Sequence, residues 1–151
     1  MSIFNAFNAS ASALTAQRLR MDVVSSNIAN ANTTRATINE NGEFEPYRRK
    51  MVTMAPADNS FQSFLQKAQN TTSNPASGVK VTGIVEDAEP FKLVYDPTHP
   101  DANEEGYVEM PNVDPLKEMV DLMSATRSYE ANITALNASK SMLMKALEIG
   151  K

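Results

Sequence analysis

The distribution of proline and glycine constrains the fold of this chain more than any other sequence feature. All eight prolines lie between Pro46 and Pro115, and four of the five glycines lie between Gly42 and Gly106. Because both residue types interrupt helices, the middle of the chain is divided into short elements while its two ends are uninterrupted. The sequence therefore predicts an α+β protein, with long N- and C-terminal helices that form a coiled-coil-like pair around a small antiparallel β-rich insertion.

The N-terminal segment, residues 1–31, predicts one helix over about residues 3–31. Its large apolar residues recur every seven positions, which is the spacing of a helix that packs along a partner helix. A companion series three residues earlier begins with an apolar residue and then becomes polar. The first series is Phe7, Leu14, Met21 and Ile28; the second is Phe4, Ala11, Arg18 and Ser25.

The C-terminal segment, residues 114–151, predicts a longer helix. Asp114 is a predicted N-cap, Pro115 suits the first helical position, and Glu118 lies in the first turn. A helix over residues 115–149 is about 50 Å long, too long to bury its apolar stripe against a small domain alone. Its seam therefore needs a partner helix, from the same chain or from another copy. The two heptad series are Met119, Thr126, Ile133, Lys140 and Leu147, and Leu122, Tyr129, Leu136 and Leu143.

The middle segment, residues 32–113, predicts short strands and an acidic surface. It contains 12 acidic and 7 basic residues, so it carries a net charge of −5. A mobile loop is predicted over residues 55–78, with one helical turn around Phe61, Phe64 and Leu65. The basic triplet at residues 48–50 is predicted to be a solvated strand end. The predicted strands cover residues 47–54, 79–85, 91–95 and 107–110.

Several functional classes have little support in the sequence. The chain has no cysteine and a single histidine, His99, which excludes cysteine-ligated and multi-histidine metal sites. The turn from Asp101 imitates the start of a calcium loop, but Asn112 stands where a bidentate carboxylate is required. His99 lacks a nucleophile beside it, and a solvent-facing histidine is expected. No cofactor, small-molecule substrate, nucleic-acid partner or catalytic residue is predicted.

The chain also lacks the marks of a membrane or secretory segment. No run of about eighteen apolar residues occurs, so no membrane span is predicted. Residues 1–7 have no basic start and no unbroken apolar run, so a cleaved signal peptide is not expected. Leu, Ile, Val and Phe together number 31 of 151 residues, which limits the core that one copy can bury.

An asparagine-rich block follows the first helix and predicts its C-terminal end, since Asn and Thr side chains bond to nearby backbone. Asn27 and Asn30 share one helix face. We expect this block to couple the helix to the insertion. Its motif residues are Ser26, Asn27, Ala29, Asn30, Asn32 and Thr33, and those of a second motif near the other end are Arg127, Ser128, Tyr129 and Asn132.

These two terminal motifs resemble the signatures of the bacterial flagellar axial family of rod and hook proteins. The stretches at residues 93–97 and 106–114 resemble the proximal rod branch of that family. After Thr33, hook and distal-rod relatives usually continue to Gly-Tyr, whereas here Thr34, Arg35 and Ala36 follow. That difference bears on the local structure of the insertion.

The resemblance implies a structural function. Family members pack their terminal helices coaxially into the periplasmic rod of the basal body, which carries motor torque and encloses the export channel. The implied partners are further copies of the chain, rod proteins of the FlgB, FlgF and FlgG types, the rod-base adaptor FliE, and the flagellar type III export apparatus. From the residues alone, a soluble helix hairpin that presents its acidic β insertion to a protein partner remains an alternative.

Overall fold

The computed structural model describes residues 3–39, 42–57, 68 and 78–149. It is an α+β structure, as predicted. Helix α1 covers Ile3–Ala29 and helix α2 covers Pro115–Ile149, and the two pack together with small antiparallel sheets between them in the sequence. The predicted loop at residues 55–78, with Phe61, Phe64 and Leu65, lies almost entirely outside the described residues. Among the described residues, no helix is both long enough and apolar enough to span a membrane.

Six strands form three two-stranded antiparallel sheets in the described part of the chain. Strands β4 (Val79–Glu86), β5 (Lys92–Tyr95) and β6 (Tyr107–Met110) confirm the predicted strands at residues 79–85, 91–95 and 107–110. Strand β3 begins three residues after the start predicted for the strand at residues 47–54. The short pair β1–β2 was not predicted, because two-residue strands carry no periodic signal. The bounds are β1 Thr37–Ile38, β2 Phe44–Glu45, β3 Lys50–Pro56, β4 Val79–Glu86, β5 Lys92–Tyr95 and β6 Tyr107–Met110.

The ends of the two helices follow the predicted local chemistry. Asp114 Oδ1 accepts the backbone N–H of Leu116 at 3.0 Å, which confirms it as the N-cap of α2. At the end of α1, Asn30 donates its side-chain amide to the Ser26 carbonyl at 2.9 Å. The backbone then turns, with the N–H of Thr33 donating to the carbonyl of Asn30. The asparagine-rich block therefore ends the helix, as predicted.

The chain divides into two compact units. The first combines the described parts of Met1–Leu19, Thr53–Gly83 and Ala125–Lys151, and the second combines Arg20–Val52 with Ile84–Ser124. The predicted division, in which residues 1–31 and 114–151 form one axial domain and residues 32–113 form an insertion, stays a prediction.

Among the described residues, few apolar side chains are buried in either unit. In the first unit Ala16 and Ala125, one from each helix, are fully buried. The second unit buries apolar residues from the end of α1, the insertion and the turn that leads into α2. They are Val23, Val24, Tyr47, Val108 and Val113.

Candidate functional site: a buried polar junction and the exposed helix faces

The second unit is centred on a buried asparagine in the last turns of α1. Asn27 is 1 % exposed. Its Nδ2 donates to the Lys50 carbonyl at 2.8 Å and to Glu118 Oε2 at 2.9 Å. Its Oδ1 accepts the Lys50 backbone N–H and the Tyr47 hydroxyl, both at 3.0 Å. One side chain thus joins α1 to the start of β3 and to the first turn of α2, and all its hydrogen-bonding capacity is used.

Glu118 and Arg49 form the charged part of this junction. Glu118 is fully buried, and its Oε1 accepts Arg49 Nε at 2.6 Å. Arg49 also lies 3.1 Å from Asp87 Oδ2 and 3.6 Å from Asp121 Oδ2. Arg20 on α1 reaches the other oxygen of Asp121 at 3.2 Å. A buried carboxylate needs this kind of paired and hydrogen-bonded surrounding, because a lone buried charge is strongly unfavourable.

The protonation equilibria of the junction follow from these contacts. Burial by itself lowers the pKa of Arg49, but the hydrogen bonds to Glu118 and Asp87 outweigh it, so the pKa is raised. The pKa of Asp87 lies below its ordinary value, first because it accepts the backbone N–H of Glu89 and second because it accepts Arg49. The predicted solvated strand end is therefore wrong for Arg49. Arg49 is the member of the basic triplet whose side chain is largely buried, because the carboxylates of Asp87, Glu118 and Asp121 surround its guanidinium.

A second buried amide completes the junction. Asn112 Oδ1 accepts the backbone N–H of Arg49 at 2.8 Å, and its Nδ2 donates to the Glu89 carbonyl at 3.0 Å. Asn112 occupies the twelfth position of the calcium-like turn, where a calcium loop has a metal-binding carboxylate. Here its side chain forms hydrogen bonds to backbone groups.

The first acidic residue of that turn, Asp101, is also engaged. It accepts Arg35 Nε at 2.7 Å and the Thr34 hydroxyl at 2.9 Å. Its pKa is lowered, first by the hydrogen bond from Arg35. His99 is half-buried, where a solvent-facing side chain was expected, and its Nδ1 accepts the backbone N–H of Asp101 at 3.1 Å. Within the described ranges, no three His, Asp or Glu side chains are grouped as a metal site requires. The Arg35–Asp101 contact ties the segment after α1 to the turn between β5 and β6.

The predicted seam residues separate into an inward-facing and an outward-facing set. On α2, one heptad series is half-buried while the other is exposed, including Leu147 at 73 %. Phe4 lies in α1, and its side chain is outside the described part. The half-buried set is Phe7, Leu14, Met21 and Ile28 on α1 and Leu122, Tyr129, Leu136 and Leu143 on α2; the exposed set is Met119, Ile133 and Leu147.

The motif residues also have different surroundings. Asn27 is the buried member, and Ser26 Oγ lies 3.5 Å from the Tyr47 hydroxyl. Asn30 and Thr33 end the helix, while Ala29 and Asn32 are exposed. In the C-terminal motif, Asn132 donates to the Ser128 carbonyl at 2.7 Å. Ser128, Tyr129 and Asn132 are half-buried and Arg127 is exposed.

Two groups of residues were missed by sequence reasoning. The first group is the rest of the buried junction around Asn27. Its members lie far apart in the chain, and only the fold brings them together; they are Tyr47, Arg49, Asn112 and Glu118. The apolar residues at positions 116, 120 and 123 fall outside both heptad series. Their i, i+4, i+7 spacing in a predicted helix was an available signal.

The amino-acid sequence was compared with known protein families and with known proteins. Residues 7–37 match the family described as flagella basal body rod protein, and residues 104–149 match the C-terminal family of the flagellar basal body rod FlgEFG proteins. The chain is 65 % identical to the flagellar basal-body rod protein FlgC of Bacillus subtilis over the full length of both. The chain belongs to the FlgC family of flagellar basal-body rod proteins.

Other members of the family are similar over nearly the same length. FlgC of Borreliella burgdorferi is 44 % identical, with 99 % of this chain and 98 % of the relative covered. FlgC of Salmonella typhimurium is 43 % identical over the whole of both chains. The resemblance to flagellar axial proteins is thereby confirmed, and this FlgC-family chain is a structural component of the basal-body rod.

Proposed function

We propose that this rod subunit polymerises through its terminal helices into the helical shaft that transmits motor torque and surrounds the export channel. It acts in the periplasm, after export through the flagellar type III apparatus without a cleaved signal peptide. Its partners are further copies of itself, rod proteins of the FlgB, FlgF and FlgG types, and the adaptor FliE. Membership of the FlgC family supports this function.

The observation that carries the proposal is the amount of large apolar surface that α2 leaves uncovered. A helix of a finished globular protein keeps its apolar side chains on the face that packs inward. Here nine large apolar side chains of α2 are exposed, distributed from its first turn to its last. They are Leu116, Met119, Val120, Met123, Ile133, Met142, Met144, Leu147 and Ile149.

The outer surface of α1 is different. Among the residues of α1 whose side chains are described, 5–29, the exposed ones are small or polar, such as Ala11, Thr15, Arg18 and Asp22. The apolar surface is therefore a property of α2, not of the terminal helices in general. Apolar surface of this extent typically marks a protein–protein interface. Neighbouring subunits that cover α2 supply the burial that the small cores lack.

The test replaces two exposed seam residues by aspartate in the bacterium that carries this chain. Because Ile133 and Leu147 are exposed, Ile133→Asp with Leu147→Asp is expected to change the stability of the isolated subunit by less than about 1 kcal/mol. The charges are expected to abolish swimming and the recovery of the variant in isolated basal bodies. Ala131→Asp with Ala138→Asp is the matched control, since it adds the same two charges at exposed positions on another face of α2.

Normal swimming by the doubly substituted strain would contradict assembly through α2. A failure of both this seam variant and the control with Ala131→Asp and Ala138→Asp would show a general intolerance of charge, and the specific role of the seam would be refuted.

A further inference from the structure

Besides the exposed apolar face of α2, the second unit has an apolar surface on the β5–β6 hairpin. The register pairs Val94 with Val108, and it pairs Leu93 with Glu109 and Tyr95 with Tyr107. Because side chains alternate along a strand, the first pair and the other two lie on opposite faces. Val108 is buried while its partner Val94 is exposed, so this face points into the unit on the β6 side. The opposite face, called here the sheet face, consists of Leu93, Tyr95, Tyr107 and Glu109, and all four are exposed.

The aromatic part of the sheet face is held in a defined arrangement. The rings of Tyr95 and Tyr107 meet edge to face with centroids 5.3 Å apart. Gly106 has a φ of +81°, and a Cβ there would lie 3.0 Å from the Tyr95 ring. Glycine therefore allows both the turn and the close approach of the ring. Ordered, exposed tyrosines lose little conformational entropy on binding, and tyrosine is enriched at the energetic centres of interfaces.

The first two turns of α2 carry a complementary apolar surface. Leu116, Met119, Val120 and Met123, called here the helix stripe, follow the i, i+3, i+4, i+7 spacing of one helix face. All four are exposed, Leu116 by 68 %. The buried Glu118 lies on the opposite side of the helix. Two methionines make such a surface adaptable in shape, which suits it to contact with rigid aromatic rings.

Charge determines which surface can meet which. Glu109 is part of the sheet face, and the hairpin of residues 92–110 contains five carboxylates and one lysine. Beside the helix stripe stands the exposed Lys117, while Asp121 faces Arg20 and Arg49 and the Asp114 carboxylate caps the helix. If the sheet faces of two copies met, the two Glu109 carboxylates would repel each other. If two helix stripes met, the two Lys117 ammonium groups would repel each other. A sheet face against a helix stripe places Glu109 and Lys117 together.

We infer that the sheet face of one copy packs on the helix stripe of the next copy, with Glu109 opposite Lys117. This inference rests on the proposed rod assembly and identifies one subunit–subunit contact within it. The contact joins two different surfaces of the same chain, so it is head-to-tail. A head-to-tail contact repeats from copy to copy and produces a row of subunits instead of a closed dimer.

Cross-linking in cells tests this contact directly, because the natural chain has no cysteine and so gives no background. The variants are Glu109→Cys, Lys117→Cys and both together, produced in the bacterium whose own copy of the gene is deleted. Isolated basal bodies are treated with a short bis-maleimide reagent. We expect the double variant to give dimers and higher multimers, and each single variant to give none.

Three outcomes would overturn the inference. Swimming cells whose double variant gives no multimers would have a working rod without this contact, so the proposed function would stand while the inference fails. Dimers from either single variant would show like surfaces meeting. Multimers that are equally abundant for Ile38→Cys with Lys117→Cys, where Ile38 is an exposed apolar residue elsewhere in the same unit, would show unspecific proximity. Normal swimming of the deletion strain with no copy of the chain restored would instead refute the proposed function.

A second variant pair measures the energetic contribution of the charges. Lys117→Glu alone and Glu109→Lys alone are each expected to reduce the yield of rods at least several-fold, because like charges then face each other. Combining the two restores an opposite-charge pair, and we expect the yield to recover towards that of the natural chain. An additive loss in the combined variant would contradict the pairing.

Discussion

Replacement of Asn27 by alanine is expected to destabilise the second unit far more than the same change at a neighbouring asparagine. Asn27→Ala removes four hydrogen bonds, one of them to the buried carboxylate of Glu118. It also leaves the Tyr47 hydroxyl and one Glu118 oxygen without that partner inside the protein. At about 1 kcal/mol for each of the three neutral bonds and about 2 kcal/mol for the charged one, the loss is about 5 kcal/mol.

Asn30→Ala is the matched control on the same helix. Asn30 is half-buried, and it donates to the Ser26 carbonyl and accepts the Thr33 hydroxyl, both local contacts. Its loss is expected to cost about 1 kcal/mol or less. A loss of about 5 kcal/mol is a large part of the total stability of a small domain, so the two variants are readily distinguished.

The measurement is urea unfolding combined with amide hydrogen exchange at Arg49. The Arg49 backbone N–H donates to Asn112, so its bond is not removed by the substitution, and its exchange reports opening of the unit. A cost of about 5 kcal/mol corresponds to exchange faster by a factor of about four thousand. If the free energy of unfolding of Asn27→Ala is within 1 kcal/mol of that of Asn30→Ala, the buried junction does not stabilise the unit as proposed.

Two further predictions concern other parts of the chain. Gly78→Ala places a Cβ 2.2 Å from Ser12 Oγ, which accepts the Val79 backbone N–H, so we expect it to cost about 1–3 kcal/mol in thermal unfolding. Gly83→Ala meets nothing closer than 3.9 Å and is the control; equal losses would refute the steric argument. Acid is expected to destabilise the fold, because the pKa values of Asp87 and Asp101 are lowered in the folded state. The stability they contribute is complete above the ordinary aspartate pKa of about 3.9 and is lost as pH falls through the lowered values. Asp101→Asn should flatten the fall of Tm below about pH 4, and an unchanged slope would contradict that role.

Local chemistry in the sequence was sufficient to predict the terminal elements of this protein. The absence of proline and glycine from residues 1–41 and 116–149 allows long helices, and Asp114 followed by Pro115 fixes the start of the second. The strands at residues 79–85, 91–95 and 107–110 were predictable because they alternate or are rich in β-branched and aromatic residues. Each of these signals acts over a few residues, so it can be read from the chain alone.

The surroundings of individual side chains were decided by the tertiary structure. Arg49 stands in a basic triplet that suggests exposure, yet Glu118, Asp87 and Asp121 converge on it from positions at least 38 residues away. A heptad pattern likewise cannot say which of two series faces inward, and here Met119, Ile133 and Leu147 face outward. The sequence alone determined where helices and strands form, because that depends on neighbouring residues. Which polar groups are buried and which apolar faces stay open depends on contacts between distant segments, and only the folded chain specifies them.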